Sequence, residues 1–328
     1  MIRSLIAALA VLSLASAAQA QTQPQDTLKL AIGQRGNWEN SVSELGQDAG
    51  FFKQHGLKLE LLYTEGGGQT QQAVISGSVD IGIGVGTYGV LSAFSKGAPV
   101  RVIGNSMDGA HDLYWYVRAD SPVHSPAEAG GKTIGFSTTG SSTDLVVRWL
   151  ERVFKADMRP VATGSPPSTF TQVMSGQVDI GWASPPFGVE AAQAGRTRII
   201  ARGSDVPEFA NQSVRVMIVN ARSLTRKADA LARYMQAYQE TLDWMYSNPA
   251  ALEAYSKWAG VTAALAQQVR DEFYPKENLD PNRILGMDAL SADAVALKFL
   301  SAPLRPEQLA ELFQRPARQP RDRAAGCI

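Results

Sequence analysis

Residues 75–84 read ISGSVDIGIG and residues 174–183 read MSGQVDIGWA. The shared core Ser-Gly-x-Val-Asp-Ile-Gly begins at Ser76 and again at Ser175. A helix-like stretch follows each copy, from Tyr88 and from Phe187, and then a strand-like one, VRVIG and TRIIA. The surroundings also correspond. Leu28–Gly33 (LKLAIG) alternates like a strand, and Ser41–His55 carries apolar residues at helical spacing. Thr133–Ser137 and Ser141–Phe154 echo that pair. The period is too long for a solenoid. Two similar α/β lobes in one chain, each with a largely parallel sheet, account for it.

Outward from the repeat, Leu57–Tyr63, Val79–Ile83 and Val100–Ile103 read as strands, with helices over Gln69–Ser76 and Tyr88–Ser95. Ser41-Val42-Ser43-Glu44 has the form of a capping box, and Gly56 is expected to end the helix that it starts. DLYWYVRAD and VRVMIVN are extended and are read as two crossings between lobes, 112–119 and 213–220. Lobe 1 is then 26–111 plus 221–313, lobe 2 is 120–212, and the ligand cleft lies between them at a double hinge. After Asn220 the chain turns helical, and residues 314–328, rich in Pro and Arg, are expected to lack order.

The N-terminus carries Met1-Ile2-Arg3, an uncharged apolar run over Leu5–Ala15, and Ala18-Gln19-Ala20. That is the form of a secretory signal peptide over residues 1–20; the small-residue site argues against a retained anchor. The mature protein is placed in the periplasm without stable membrane insertion. The chain has 328 residues, 31 basic and 31 acidic side chains and one Cys, Cys327. Zero net charge speaks against nucleic acid as a partner. One Cys excludes an intramolecular disulfide and a Cys-rich metal site. Three His leave little for a His-rich one, and no cofactor is expected.

The order and spacing of AGFFKQHGL (49–57), ISGSVDIGIG, DSPVHSPAEAGGKTIGFSTTGSS (120–142) and VMSGQVDIGWASPPF (173–187) are similar to those of the periplasmic solute-binding proteins of ABC importers. The branch is the one that includes the nitrate, sulfonate, taurine and thiamine-pyrimidine binders. The resemblance implies a two-lobed fold of the type II kind that closes over a small-molecule ligand. It also implies delivery to a permease with a cytoplasmic ATPase, by a protein expected to act as a monomer and to do no covalent chemistry. A related pyrimidine-synthase type of enzyme shares that fold but carries a Cys-rich motif, which this chain lacks.

Candidate ligand-binding residues sit at the strand ends. Arg35, Trp38 and Asn40 follow the first strand: Arg35 as a bidentate partner for an oxyanion, Trp38 as a cover for an apolar body, or both as surface and packing residues. Gly67, Thr87, Tyr88, Ser184 and Phe187 lie in the equivalent loops, the rings read either as ligand-facing or as core, and Trp182 as core. Thr139, Ser141 and Ser142 open a helix whose N–H groups suit a carboxylate or sulfonate, although Ser141 with Asp144 can simply cap it. Asp108 and His111 precede the first crossing with Asp112, and a hinge role competes there with pairing to a ligand amine. Arg215 opens the second crossing, its facing left open, and Arg148 falls past the first turn of its helix. Gly84-x-Gly86-x-x-Gly89 fits the dinucleotide fingerprint formally. The equivalent loop 182–188 has no such glycines, so a tight loop lining the cleft is the better reading. Oxyanion donors beside aromatic residues favour a small organic anion, sulfonate or carboxylate, over a neutral pyrimidine-like ring.

Overall fold

A computed structural model describes residues 25–317. The expected signal peptide and Cys327 lie outside these residues. The first half runs β1 (Asp26–Gly33), α1 (Val42–Asp48), α2 (Phe51–Gln54), β2 (Leu57–Thr64), α3 (Gly67–Ile75), β3 (Ile81–Gly86), α4 (Thr87–Ser95) and β4 (Val100–Asp108). The second runs β5 (Tyr114–Arg118), β6 (Thr133–Phe136), α5 (Ser142–Phe154), β7 (Arg159–Ala162), α6 (Pro166–Met174), β8 (Gly181–Ala183), α7 (Val189–Gln193), β9 (Thr197–Arg202) and β10 (Ser213–Asn220). Helices α8 (Ala221–Arg226), α9 (Ala228–Ser247), α10 (Pro249–Ala259), α11 (Ala263–Phe273), α12 (Met287–Ala296) and α13 (Pro306–Leu312) follow.

The first sheet has the order β2-β1-β3-β10-β4, with β1, β2 and β3 parallel and β10 antiparallel to both neighbours. In the second half β5 lies antiparallel between β8 and β9, and β6 is parallel to β7. A parallel bridge from Ile134 to Ile180 joins these groups, so the order β7-β6-β8-β5-β9 repeats that of the first half. The stretches expected as hinge crossings are therefore mostly strand. Each is the antiparallel member of the sheet that the chain has just entered. The passages themselves fall at 109–113 and 203–212.

The repeated heptad has a physical reading. Gly77 and Gly176 take φ of +77° and +79° just past α3 and α6, the left-handed turn that ends a helix. Val79 and Val178 are buried. Asp80 accepts the Lys29 N–H at 2.9 Å, within β1, and Asp179 the Thr133 N–H at 2.9 Å, at the start of β6, each pinning the neighbouring strand. A methyl on Gly82 would lie 2.8 Å from Val74, and one on Gly181 2.7 Å from Val173, because each preceding helix packs directly on its strand. Gly181→Ala is expected to destabilise the protein by about 1–3 kcal/mol through overpacking. A denaturation midpoint unchanged from wild type would refute that reading.

Two expectations fail locally. Gly50 adopts φ +87° and divides the helix expected to run to His55. Ser41 makes no cap; its hydroxyl donates to Trp38 O, and Glu44 accepts instead from the Tyr63 hydroxyl at 2.6 Å. Phe313 bridges Val102, and Gln314 donates to Val102 O, so the first residue of the segment 314–328 lies on the edge of β4; residues 318–328 fall outside the described residues.

Leu28, Leu30 and Ile32 of β1 share a core with α9, α10 and α11. A second core joins α4 and α12 to α5 through Val90, Leu145, Trp149 and Phe209. It continues from one half of the molecule into the other, and it sets the two rows of strand ends face to face.

Candidate functional site

The C-terminal ends of β1 and β3 meet those of β6 and β8. Bonds cross the gap directly. Asn37 donates its amide to Ser184 Oγ, Gly68 N donates to Thr138 Oγ1 at 3.0 Å, and Ser165 N donates to Glu65 at 2.9 Å. The tight loop read from Gly84, Gly86 and Gly89 is part of this contact. A methyl on Gly86 would lie 2.7 Å from Gly140 O, and one on Gly89 2.2 Å from the same atom. These glycines let one backbone lie on another rather than cradle a phosphate.

Among the described residues, two cavities lie between the halves. The inner one, about 20 Å³, is walled by Gln34, Asn37, Glu39, Asn40, Ser142, Trp182 and Arg215, among others. The outer one, about 350 Å³, is walled by Arg35 and Asn37 from one side and by Pro166, Phe170, Pro186, Phe187 and Arg196 from the other. Asn37 belongs to both walls.

Arg215 sits at the inner end, 4% exposed. Its Nη2 donates to Asp112 Oδ1 at 2.6 Å, and its Nε lies 3.1 Å from Glu39 Oε1, an ion-pair contact without hydrogen-bond alignment. Burial works to lower its pKa, but Asp112 and Glu39 together raise it, so the guanidinium stays charged. Burial pushes the Glu39 carboxyl up to about 8; Arg215 pulls it down and Asp112 pushes it further up.

The anion donors expected on α5 are engaged. Ser141 Oγ accepts from Asp144 N at 3.2 Å, and Asp144 accepts from Gly140 N at 2.9 Å, so the helix end is closed by its own carboxylate. Arg148 pairs with that same Asp144 at 3.0 Å.

Of the expected site residues, the structure gathers Asn40, Ser142 and Arg215 on the inner cavity and Arg35 and Phe187 on the outer one, with Ser184 bonded to Asn37 between them. The others line neither cavity. Trp38 is fully buried; its rings meet Tyr246 and Tyr255, and its Nε1 donates to the Tyr246 hydroxyl. Tyr88 is core as well, bonded to Gln212 and set edge-on to Phe299. Thr87 donates to Ser213 O. Gly67 packs on the backbone at Gly84 and Gly86. Asp108 is held by Ser213 at 2.6 Å and Arg283 at 2.9 Å, whereas His111 and Thr139 are exposed.

Sequence reading missed Asn37, Glu39, Phe170 and Arg196. Glu39 carries no local signal, since its partner Arg215 comes from the far end of the fold. Phe170 and Phe187 do stand near the second repeat, where a ring-lined wall was foreseeable.

The NMT1/THI5 like family model matches residues 44–252. The chain belongs to that family. No curated protein matches the chain. Among solved structures it is similar to the alkanesulfonate-binding protein SsuA from Xanthomonas axonopodis pv. citri bound to MOPS. The two share 18% identity and a TM-score of 0.72, over 88% of this chain and 98% of that one. A Candida albicans gene product described as having the generic periplasmic binding protein structural fold gives 17% identity and a TM-score of 0.72, over 90% and 98%. The desulfurization enzyme DSZB gives 18% and 0.59, over 89% and 97%. The fold of this family member is thus the two-lobed α/β fold expected from its sequence. Among the described residues no helix is long and apolar enough to cross a membrane, and no cluster of His, Cys, Asp and Glu has the makings of a metal site.

Proposed function

We propose that the protein is the periplasmic solute receptor of an ABC importer, capturing a small organic anion where its two halves meet and delivering it to a permease. The outer cavity supports this reading above all. One of its guanidinium groups comes from each half, Arg35 and Arg196, and Phe170, Phe187 and three prolines supply an apolar wall. Arg35 is aimed by a 2.8 Å bond to Trp258 O and by the Trp258 ring beneath it, with Glu44 3.8 Å from its Nη2, and Glu190 stands on the same cavity wall. Arg196 lies over Phe170 and, among the described residues, has no carboxylate partner. A carboxylate or sulfonate with an apolar body meets both halves there only when they are together, so its binding favours the closed arrangement. We propose residues 26–108 plus 213–313 and residues 114–202 as the two lobes, since the expected bounds, 26–111 plus 221–313 and 120–212, leave β10 and β5 out of the sheets they belong to.

The test is a thermal-shift screen of the mature chain with alkyl and aryl sulfonates, carboxylates, nitrate and pyrimidines. A matching ligand at a hundred times its Kd stabilises by about 2.7 kcal/mol, a rise of roughly 5–10 °C for a chain of this length. Arg196→Ala is expected to lower the affinity by roughly tenfold or more, the loss of a charge-assisted bond. Recovery of the ligand unchanged supports a receptor. Its consumption would make the protein an enzyme on this fold, and shifts from pyrimidines alone would overturn the anion.

A further inference from the structure

The inner cavity presents chemistry of the opposite sign. Glu39 is 2% exposed and Asn40 3%, and both lie on its wall. Glu39 Oε2 and Asn40 Oδ1 have no hydrogen-bond partner among the described residues. Two buried carboxylates, Glu39 and Asp112, share the single guanidinium of Arg215. Asp108, the next carboxylate, is already matched by Arg283. With both carboxylates ionised the centre is therefore one positive charge short, and the two residues with unpartnered acceptors stand on the wall of a space of about 20 Å³. A water molecule fits that space and supplies donors, but it leaves the charge unbalanced. Buried charge without a counter-charge is costly, so either a proton or a cation must complete the site.

We infer that the inner cavity is a seat for a small cationic donor head, a primary ammonium group, contacting Glu39 and Asn40. The inference rests on the receptor reading above and extends it: a solute that fills both cavities carries a cationic end as well as its anion. Without the head, a proton on Glu39 takes its place. The charged and titratable groups around Glu39 are Arg215, Asp112 and the hydroxyls of Tyr238, Tyr246, Tyr255 and Tyr274. The tyrosines stay neutral, because burial raises all four. Since Glu39 must lose its proton to pair with the head, cation binding strengthens as pH rises toward about 8 and levels off beyond it.

The probe is methylammonium chloride, compared with potassium chloride and tetramethylammonium chloride at equal ionic strength on the mature wild-type chain. Methylammonium is expected to raise Tm above both controls. Its apparent affinity should increase roughly tenfold or more from pH 6.5 to 8.5. Calorimetry in two buffers of different ionisation enthalpy should show proton release at pH 6.5. Glu39→Gln should abolish both effects. Equal shifts from all three salts, or binding without proton release, would overturn the cation seat even if the variant fails to fold. The sulfonate and carboxylate panel run alongside separates the two readings. A panel response without a methylammonium response rejects the inference alone, and the reverse rejects the anion at the outer cavity.

Discussion

Gly89→Ala is expected to hold the two halves apart. The added methyl would sit 2.2 Å from Gly140 O; that oxygen belongs to backbone and a Cβ has no rotamer to move through, so nothing can swing away. Overpacking of this kind costs about 1–3 kcal/mol. At 1.4 kcal/mol per tenfold, that lowers the closed-to-open ratio by roughly five- to a hundred-fold. Small-angle scattering should show a larger radius of gyration, and any ligand that bridges the outer cavity should lose affinity by up to the same factor. The alternative outcome is equally definite. Gly89 lies inside α4, where alanine is favoured over glycine by about 1 kcal/mol in an unobstructed helix. A variant that is more stable than wild type and equally compact would show that Gly89 and Gly140 do not touch in solution.

Arg215→Met is expected to be among the most destabilising single substitutions in the molecule. It removes the guanidinium that lies between Glu39 and Asp112, which are 2% and 0% exposed. Breaking a buried ion pair from one side costs about 3–5 kcal/mol, since the remaining charge is left without compensation. For a chain of this size the midpoint should fall by roughly 6–20 °C. Pairing the change with Asp112→Asn removes the stranded carboxylate, Glu39 being held up to about 8 and so protonated at neutral pH, and should recover a large part of the loss. A single-variant cost below about 1 kcal/mol would mean that water reaches the group and that the centre is not dry.

The sequence repeat carried the architecture because each of its positions does local work. Gly77 and Gly176 end helices, Asp80 and Asp179 pin neighbouring strands, and Gly82 and Gly181 admit the packed helix. Such roles need only nearby residues, so they recur wherever the unit recurs. The cap of α5 was legible for the same reason, with Ser141 and Asp144 three residues apart. The site was less so. Trp38 stood in the right loop, but its ring turns away from the cleft to meet Tyr246 and Tyr255, both on later helices. Arg215 stood at a crossing with either facing open.

From its sequence alone this protein is a duplicated α/β chain with two crossings and loops gathered at strand ends. Those features follow from periodicity, glycine conformation and short-range capping, which act over a few residues. Tertiary structure alone decided which charges face one another. Asp112, Glu39 and Arg215 are distant in the chain, and their meeting depends on how β10 threads between β3 and β4. The same holds for the outer cavity, whose two guanidinium groups come from opposite halves. Electrostatic balance in a buried cleft depends on distance and solvation, and neither is written in the order of residues.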